Sequence, residues 1–248
     1  MEAIALQTYA KLESYYWWWV GRRAVIASVM AKHFGGRSDL NMLDWGCGPG
    51  GNFPVLAPYG SLLGVDASPE ALRFCREAGH ANVRPAGTVA EFMTAYPERN
   101  YDLITVFDVV EHIEGDVQFL RELQQLLKPG GHLLITVPAY QFLWSELDVA
   151  VSHVRRYTRG RIPRALRTAG YSVQRASYFI TIMAPLIIAF RLLGHLTGRS
   201  KKKQFSFVEF PSSVNRLFIN TIRLEAKLLR WFNLPFGTSL IVLAQRRD

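Results

Sequence analysis

Leu43-Asp44-Trp45-Gly46-Cys47-Gly48-Pro49-Gly50-Gly51 directly follows the first short apolar run of the chain, Met42–Trp45. Glycines let a backbone turn sharply and approach a ligand closely, and the helix N-terminus expected after such a loop favours a bound group. Gly46, Gly48 and Gly51 satisfy the spacing G-x-G-x-x-G, and Asp66 ends the next apolar run 20 positions after Gly46, where a ribose-binding acid belongs. The glycines alone admit a nicotinamide dinucleotide or S-adenosylmethionine. Asp44 separates the two. A dinucleotide brings pyrophosphate to this loop, which a carboxylate two residues before the first glycine repels; a methionine ammonium and a sulfonium are attracted instead. The other account of Asp44 is a carboxylate that only caps the following turn.

Outward from the loop, short apolar runs alternate with helical stretches. Strands are expected at Met42–Trp45, Ser61–Val65, Val83–Pro85, Tyr101–Phe107, His132–Val137 and Tyr171–Tyr178. One helix is expected from the Ser68-Pro69-Glu70 cap to Gly79, and another from Asp116 to Leu127, stopped by Lys128-Pro129-Gly130-Gly131. This alternation predicts a doubly wound α/β sheet covered on both faces. Residues 181–238 break the pattern and read as a helical insertion before a last strand, Ser239–Ala244. The insertion opens with the apolar Tyr178–Phe190, whose 13 residues include Pro185; a bilayer-spanning helix needs ~20. A basic linker, Arg199 and Lys201–Lys203, leads to Val214–Phe232, where a basic stripe of Arg216, Arg223, Lys227 and Arg230 marks an amphipathic helix. The 248 residues thus divide into an N-terminal helical cover (1–40), a cofactor-binding core (41–180), a helical cap above the C-terminal strand ends (181–238) and the last strand (239–248).

At this point the chain resembles the class I S-adenosylmethionine-dependent methyltransferases. LDWGCGPG is similar to that family's first motif and LLGVDASPEAL to its second; AGTVAEF (86–92), YDLITVFDVVEHI (101–113) and LLKPGGHLLITVPA (126–139) follow in the family's order, without the acid often found at Thr88. The resemblance implies a seven-stranded, mainly parallel sheet whose last strand is antiparallel. It also implies S-adenosyl-L-methionine as cofactor, contacted by Asp44, Gly46, Cys47, Gly48, Gly50, Asp66, Ala67, Thr88, Val89 and Asp108, with Arg22 or Arg23 toward the methionine carboxylate. Glu13-Ser14-Tyr15-Tyr16-Trp17-Trp18-Trp19-Val20-Gly21-Arg22-Arg23 and Leu143–Asp148 with His153–Tyr157 resemble a narrower branch. That branch is associated with glycan and lipid-linked sugar assembly.

Methyl transfer requires the acceptor's lone pair to lie in line with the sulfur–methyl bond, and a hydroxyl acceptor also requires a base. His112, after the fourth strand, and His153, after the fifth, stand where a base would act, and His153 is favoured. An ordinary His pKa of ~6.5 suits the role. The alternatives are that His112 organises its loop and that His153 belongs to a structural latch. Trp19, Tyr140, Trp144, Asp148, Arg155 and Tyr157 are expected to line the acceptor pocket. Asp148, His153 and His112 lack metal-ligand spacing, so no metal is expected.

Composition narrows the partners. The chain is 49% hydrophobic and 20% charged, which excludes a disordered or fibrous protein. Cys47 and Cys75 alone make neither a disulfide framework nor a Cys-based zinc site. The opening residues lack the pattern of a signal peptide, so a cytoplasmic location, peripheral on the membrane's inner face, is expected. Residues 1–149 carry 11 Lys and Arg against 17 Asp and Glu, a net −6; residues 150–248 carry 18 against 3, a net +15. Such asymmetry points the C-terminal part at something anionic. An amphiphilic acceptor at an anionic membrane surface is the first reading, a soluble hydrophobic metabolite under a lid the second, and nucleic acid the third. Asp108-Val109-Val110-Glu111 does not resemble the Asn/Asp-Pro-Pro-aromatic motif of base methylation, which weighs against nucleic acid.

Overall fold

The computed structural model describes residues 11–97, 100–196 and 210–247; the basic linker at Arg199 and Lys201–Lys203 lies outside them. Strands β1 (Leu40–Trp45), β2 (Gly60–Asp66), β3 (Val83–Pro85), β4 (Tyr101–Phe107), β5 (Leu127–Pro138), β6 (Tyr171–Phe179) and β7 (Ser239–Arg246) form one sheet in the order β3-β2-β1-β4-β5-β7-β6. β7 runs antiparallel to both β5 and β6, and the pairs from β3 through β5 are parallel. Strand order reverses between β1 and β4, and that switch point is where open α/β sheets bind ligands, at the strands' C-terminal ends.

Period-two alternation sends each strand's apolar residues to both faces, as a fully covered sheet requires. Leu43, Trp45, Ile104, Val106, Ile135 and Val242 face one core, closed by helices α4 (Val89–Ala95), α5 (Asp116–Leu126) and α7 (Arg161–Thr168). Met42, Leu103, Phe107, Leu134, Ile241 and Leu243 face the other, closed by α1 (Trp17–Phe34) and α9 (Ser212–Leu228). Further helices among the described residues are α2 (Phe53–Leu56), α3 (Pro69–Glu77), α6 (Glu146–Ala150) and α8 (Ala184–Leu196). In α1, Val25, Ile26, Val29 and Met30 form one inward stripe and are all fully buried; each contributes roughly 1.5–3 kcal/mol. Capping follows the sequence: the Ser68 hydroxyl accepts from Ala71 N–H, and Thr88 with Glu91 forms a capping box on α4.

Two expectations change. Tyr178–Phe190, read as the opening of the helical insertion, divides between two elements, because β6 continues to Phe179 and α8 starts only at Ala184, with Pro185 in its first turn, where proline is tolerated. Nor does the insertion form one cap. Arg191 of α8 reaches the Leu143 carbonyl near the end of β5, but α9 lies along the sheet face beside α1. The helix after β1 is a single turn, and Ile222, Ala226 and Leu229 supply apolar cover on that face. Gly21 makes the approach possible, since a Cβ there would meet Ile222 Cδ1 at 2.5 Å. Among the described residues, no helix is long and apolar enough to cross a membrane.

Candidate active site

The glycine loop leaves β1 with Gly46, Gly48 and Gly50 all at positive φ, a region that L side chains rarely adopt. A Cβ on Gly46 would lie 2.4 Å from Val109 Cγ2, so this glycine lets the loop sit against the exit of β4. A Cβ on Gly48 would meet no atom within 4 Å, so the loop's outer side is open to a ligand. The Asp66 carboxylate sits at the loop's mouth, accepting from Gly48 N–H (2.9 Å) and Ser68 N–H (2.8 Å).

Asp44 is 1% exposed. Its Oδ1 accepts from Thr105 Oγ1 at 2.6 Å, while Oδ2 is buried with no hydrogen-bond partner. Burial pushes its carboxyl up to about 7. A buried, half-satisfied carboxylate is costly unless a cation arrives. The orphaned oxygen, the open face at Gly48 and the fixed Asp66 together fit S-adenosylmethionine, whose ammonium supplies that cation and whose ribose hydroxyls need an acid.

Other expected cofactor contacts are placed differently. Arg22 is buried and ion-paired with Asp108, with its guanidinium 4.7 Å from the centre of the Trp18 ring. Each neutralises the other, so Arg22 is not a free partner for a carboxylate. Cys47 and Val89 are core residues, Thr88 caps α4, and Ala67 is exposed beyond β2. Glu13, the first residue of the branch-like opening segment and not expected at the site, accepts from Gly51 N–H and stands beside Arg22 and Arg23; burial raises its carboxyl.

Beyond β4 and β5 the acceptor-side residues divide. His153 and His112 come together, their rings 4.7 Å apart and edge to face. His153 Nδ1 is 2.8 Å from Asp148 Oδ1, and Nε2 is 3.8 Å from Glu111 Oε1. Glu111 is fully buried and neither of its carboxylate oxygens has a hydrogen-bond partner. Burial and the neighbouring Asp108 hold its carboxyl well above the ordinary value. Tyr140, at φ +58°, stacks on Tyr178 and Phe142, and Trp144 is half-buried in the same loop.

Four expected pocket residues turn inward instead. Asp148 is gripped by Arg156 (Nε to Oδ1 2.8 Å, Nη2 to Oδ2 2.9 Å) and by Ser145, and Arg156 and His153 hold its carboxyl below the usual range. Tyr157 is fully buried and donates to Asp116 Oδ2, and Arg155 pairs with the same oxygen at 3.0 Å. Trp19 is 2% exposed among Leu12 and Tyr16. Asp148, Arg155 and Tyr157 share a physical reason: the 22-residue connection from β5 to α7 needs internal anchors, and these side chains supply them. A cleft of about 710 Å³ lined by Asn41, Ser61, Tyr96 and Asn100 lies at the strands' N-terminal ends, away from these groups.

The sequence pattern of a methyltransferase domain matches residues 18–176. The chain belongs to this family. Its class I fold agrees with solved structures: an S-adenosylmethionine-dependent methyltransferase from Archaeoglobus fulgidus (TM-score 0.56, 17% identity, 90% of this chain and 94% of that one) and another from Mesorhizobium loti (TM-score 0.53, 18%, 84% and 92%). A Mycolicibacterium smegmatis protein named "Probable S-adenosylmethionine-dependent methyltransferase" is 26% identical over 63% of this chain and 60% of its own length. The ubiquinone biosynthesis O-methyltransferase of Leptothrix cholodnii is 30% identical over 39% of this chain and 43% of its own length. The matches therefore span about half of these relatives. Membership makes S-adenosylmethionine the methyltransferase's cofactor.

Proposed function

We propose that this methyltransferase methylates a hydroxyl oxygen of an amphiphilic, lipid-linked or glycan-type acceptor at a membrane surface. The carrying observation is the buried Asp44 with its unpartnered oxygen behind an open glycine loop, at the same sheet end as the Glu111–His112–His153 group. When bound, the cofactor supplies a sulfonium-activated methyl group. Asp44 in its ionised form holds the ammonium. Asp66 is pinned by two backbone N–H groups, which leaves its remaining lone pairs for ribose hydroxyls. Alignment of acceptor and methyl is the enzyme's main task and supplies ~7–11 kcal/mol of barrier lowering in well-oriented systems. His153 and His112 stand beside the loop's exit from β4, where the acceptor hydroxyl loses its proton.

The membrane side of the proposal is supported by the outer face of α9 and the turn that follows it. Arg216, Arg223, Lys227 and Arg230 are exposed beside Leu217, Leu224, Trp231 (78% exposed) and Phe232 (66%). Basic and aromatic groups in one surface suit an anionic lipid–water boundary. The relatives named for ubiquinone biosynthesis support an oxygen nucleophile. The test is to incubate the protein with methyl-labelled S-adenosylmethionine and a whole-cell extract. Label in the organic-soluble or lipid-linked glycan fraction is the expected result; label confined to water-soluble metabolites or nucleic acid contradicts it.

A further inference from the structure

Residues 11–16 precede α1 and reach the glycine loop through Glu13. The Glu13 carboxylate accepts from Gly51 N–H, and a Cβ on Gly51 would collide with Glu13 Oε2 and stand 2.8 Å from Oε1. Glycine at position 51 is what lets an acid sit directly on the loop. We propose that this short segment is a strap across the cofactor loop, with Glu13 sitting in the seat of the cofactor's own carboxylate. Glu13 leaves Gly51 when that carboxylate takes its place, and the strap opens. The proposal rests on the cofactor reading of the glycine loop given above and adds how that site is kept shut.

Three observations carry it. The first is position. The charges of Glu13 and Arg22 both act on Asp44, so the three side chains share one neighbourhood. An α-amino acid carries its carboxylate on the same carbon as its ammonium, so an ammonium held by Asp44 brings a carboxylate here. Gly51 N–H and the Arg23 guanidinium are donors in that neighbourhood, while Arg22 is committed to Asp108. Glu13 already engages both, since its backbone carbonyl accepts from Arg23 Nη2 at 2.6 Å.

The second observation is that the Glu13 carboxylate is held at a cost. Loss of water raises its carboxyl by more than Arg22, Arg23 and Gly51 N–H together lower it. A ligand that brings its own counter-charge to Asp44 displaces such a group readily. The third is that the strap is detachable. Leu12, Tyr16 and Trp19 form a small apolar cluster apart from the two cores that cover the sheet. Tyr15 and Tyr16 N–H both bond to Leu12 O (3.2 and 2.8 Å), closing a single turn. Just downstream, Asn215 of α9 clasps the chain, with Nδ2 donating to Tyr15 O and Oδ1 accepting from Trp17 N–H. The turn ahead of that clasp can open while α1 and both cores stay in place.

The test is hydrogen exchange read by mass spectrometry on the full chain, alone and saturated with each of two ligands, after their binding heats are measured. One ligand is S-adenosylmethionine; the other is its decarboxylated analogue, which keeps the ammonium, the sulfonium and the ribose. S-adenosylmethionine should speed exchange at Tyr15 and Tyr16 about tenfold, and the analogue should leave it as slow as in the free protein. A closed strap lowers apparent affinity by the fraction of open molecules, so Glu13→Ala should tighten S-adenosylmethionine about tenfold and leave the analogue unchanged. Exchange at Tyr15 and Tyr16 that S-adenosylmethionine leaves unchanged or slows, or that the analogue speeds equally, overturns the strap. So does a Glu13→Ala variant that binds S-adenosylmethionine no better than wild type. Binding heat without the exchange response shows that the strap alone fails; no binding heat shows that the glycine-loop reading fails with it.

Discussion

Asp44 is the residue where stability and function oppose each other. Burial raises its folded pKa to about 7, above the ordinary value of 3.8. Between those values the folded chain keeps a proton that the unfolded chain releases, so stability falls as pH rises through the window. The full cost, about 4 kcal/mol at roughly 1.4 kcal/mol per unit, is present above pH ~7. Asp44→Asn should therefore melt several degrees higher than wild type at pH 8 and about equally at pH 4, measured by thermal denaturation. The same substitution should weaken S-adenosylmethionine at least tenfold. Wild-type affinity should fall as pH drops below 7, because protonation removes the charge that the ammonium needs. A variant with unchanged affinity, or an affinity flat between pH 5 and 8, contradicts the assignment.

At the scale of elements, two contacts decide how the insertion and the long β5–α7 connection are placed. Gly21 and Ile222 join α1 to α9. Gly21→Val should cost roughly 1–3 kcal/mol through overpacking, seen as a lower melting temperature, and Ile222→Ala in the same chain should recover part of it. Arg156 anchors the connection through buried Asp148. Arg156→Met leaves that carboxylate uncompensated and should cost about 3–5 kcal/mol in urea unfolding. Asp148 has a lowered folded pKa, so its contribution is present above the ordinary carboxylate range and is lost as pH falls through it. These elements also show what was legible beforehand. All seven strands coincide with short apolar runs, although β5 starts at Leu127, where the end of a helix was expected, and the loop at Gly46–Gly51 followed from its own glycines. The neighbour of α9 was not legible, because an amphipathic stripe says which face is buried and not against what. Glu111 was missed because Asp-Val-Val-Glu-His carries no periodic sign of which side chain turns inward. The inward turn of Tyr157, Arg155 and Asp148 depends on partners such as Asp116, 41 residues from Tyr157.

For the whole molecule, the distribution of charge is the informative property. The net −6 of residues 1–149 and +15 of residues 150–248 make an electrically lopsided protein. Near an anionic leaflet each Lys or Arg contributes ~1 kcal/mol, and the attraction decays over a Debye length of about 8 Å at physiological salt. Co-sedimentation with phosphatidylglycerol-containing vesicles should accordingly be strong at low salt and weak at high salt. Reversing Arg216, Arg223, Lys227 and Arg230 to Glu should abolish it without changing the melting temperature, since all four are exposed. Equal binding to neutral vesicles, or full binding by the reversed variant, contradicts a membrane-facing α9.

The central claim, that the glycine loop holds S-adenosylmethionine for methyl transfer, is tested most directly by calorimetry at pH 8. Wild-type protein should bind one S-adenosylmethionine per chain and give no heat with NAD. Asp66→Ala, which removes the carboxylate pinned at the loop mouth, and Gly48→Val, which fills the open face, should each abolish the signal. Tight binding of NAD, or unchanged S-adenosylmethionine affinity in both variants, would contradict the account.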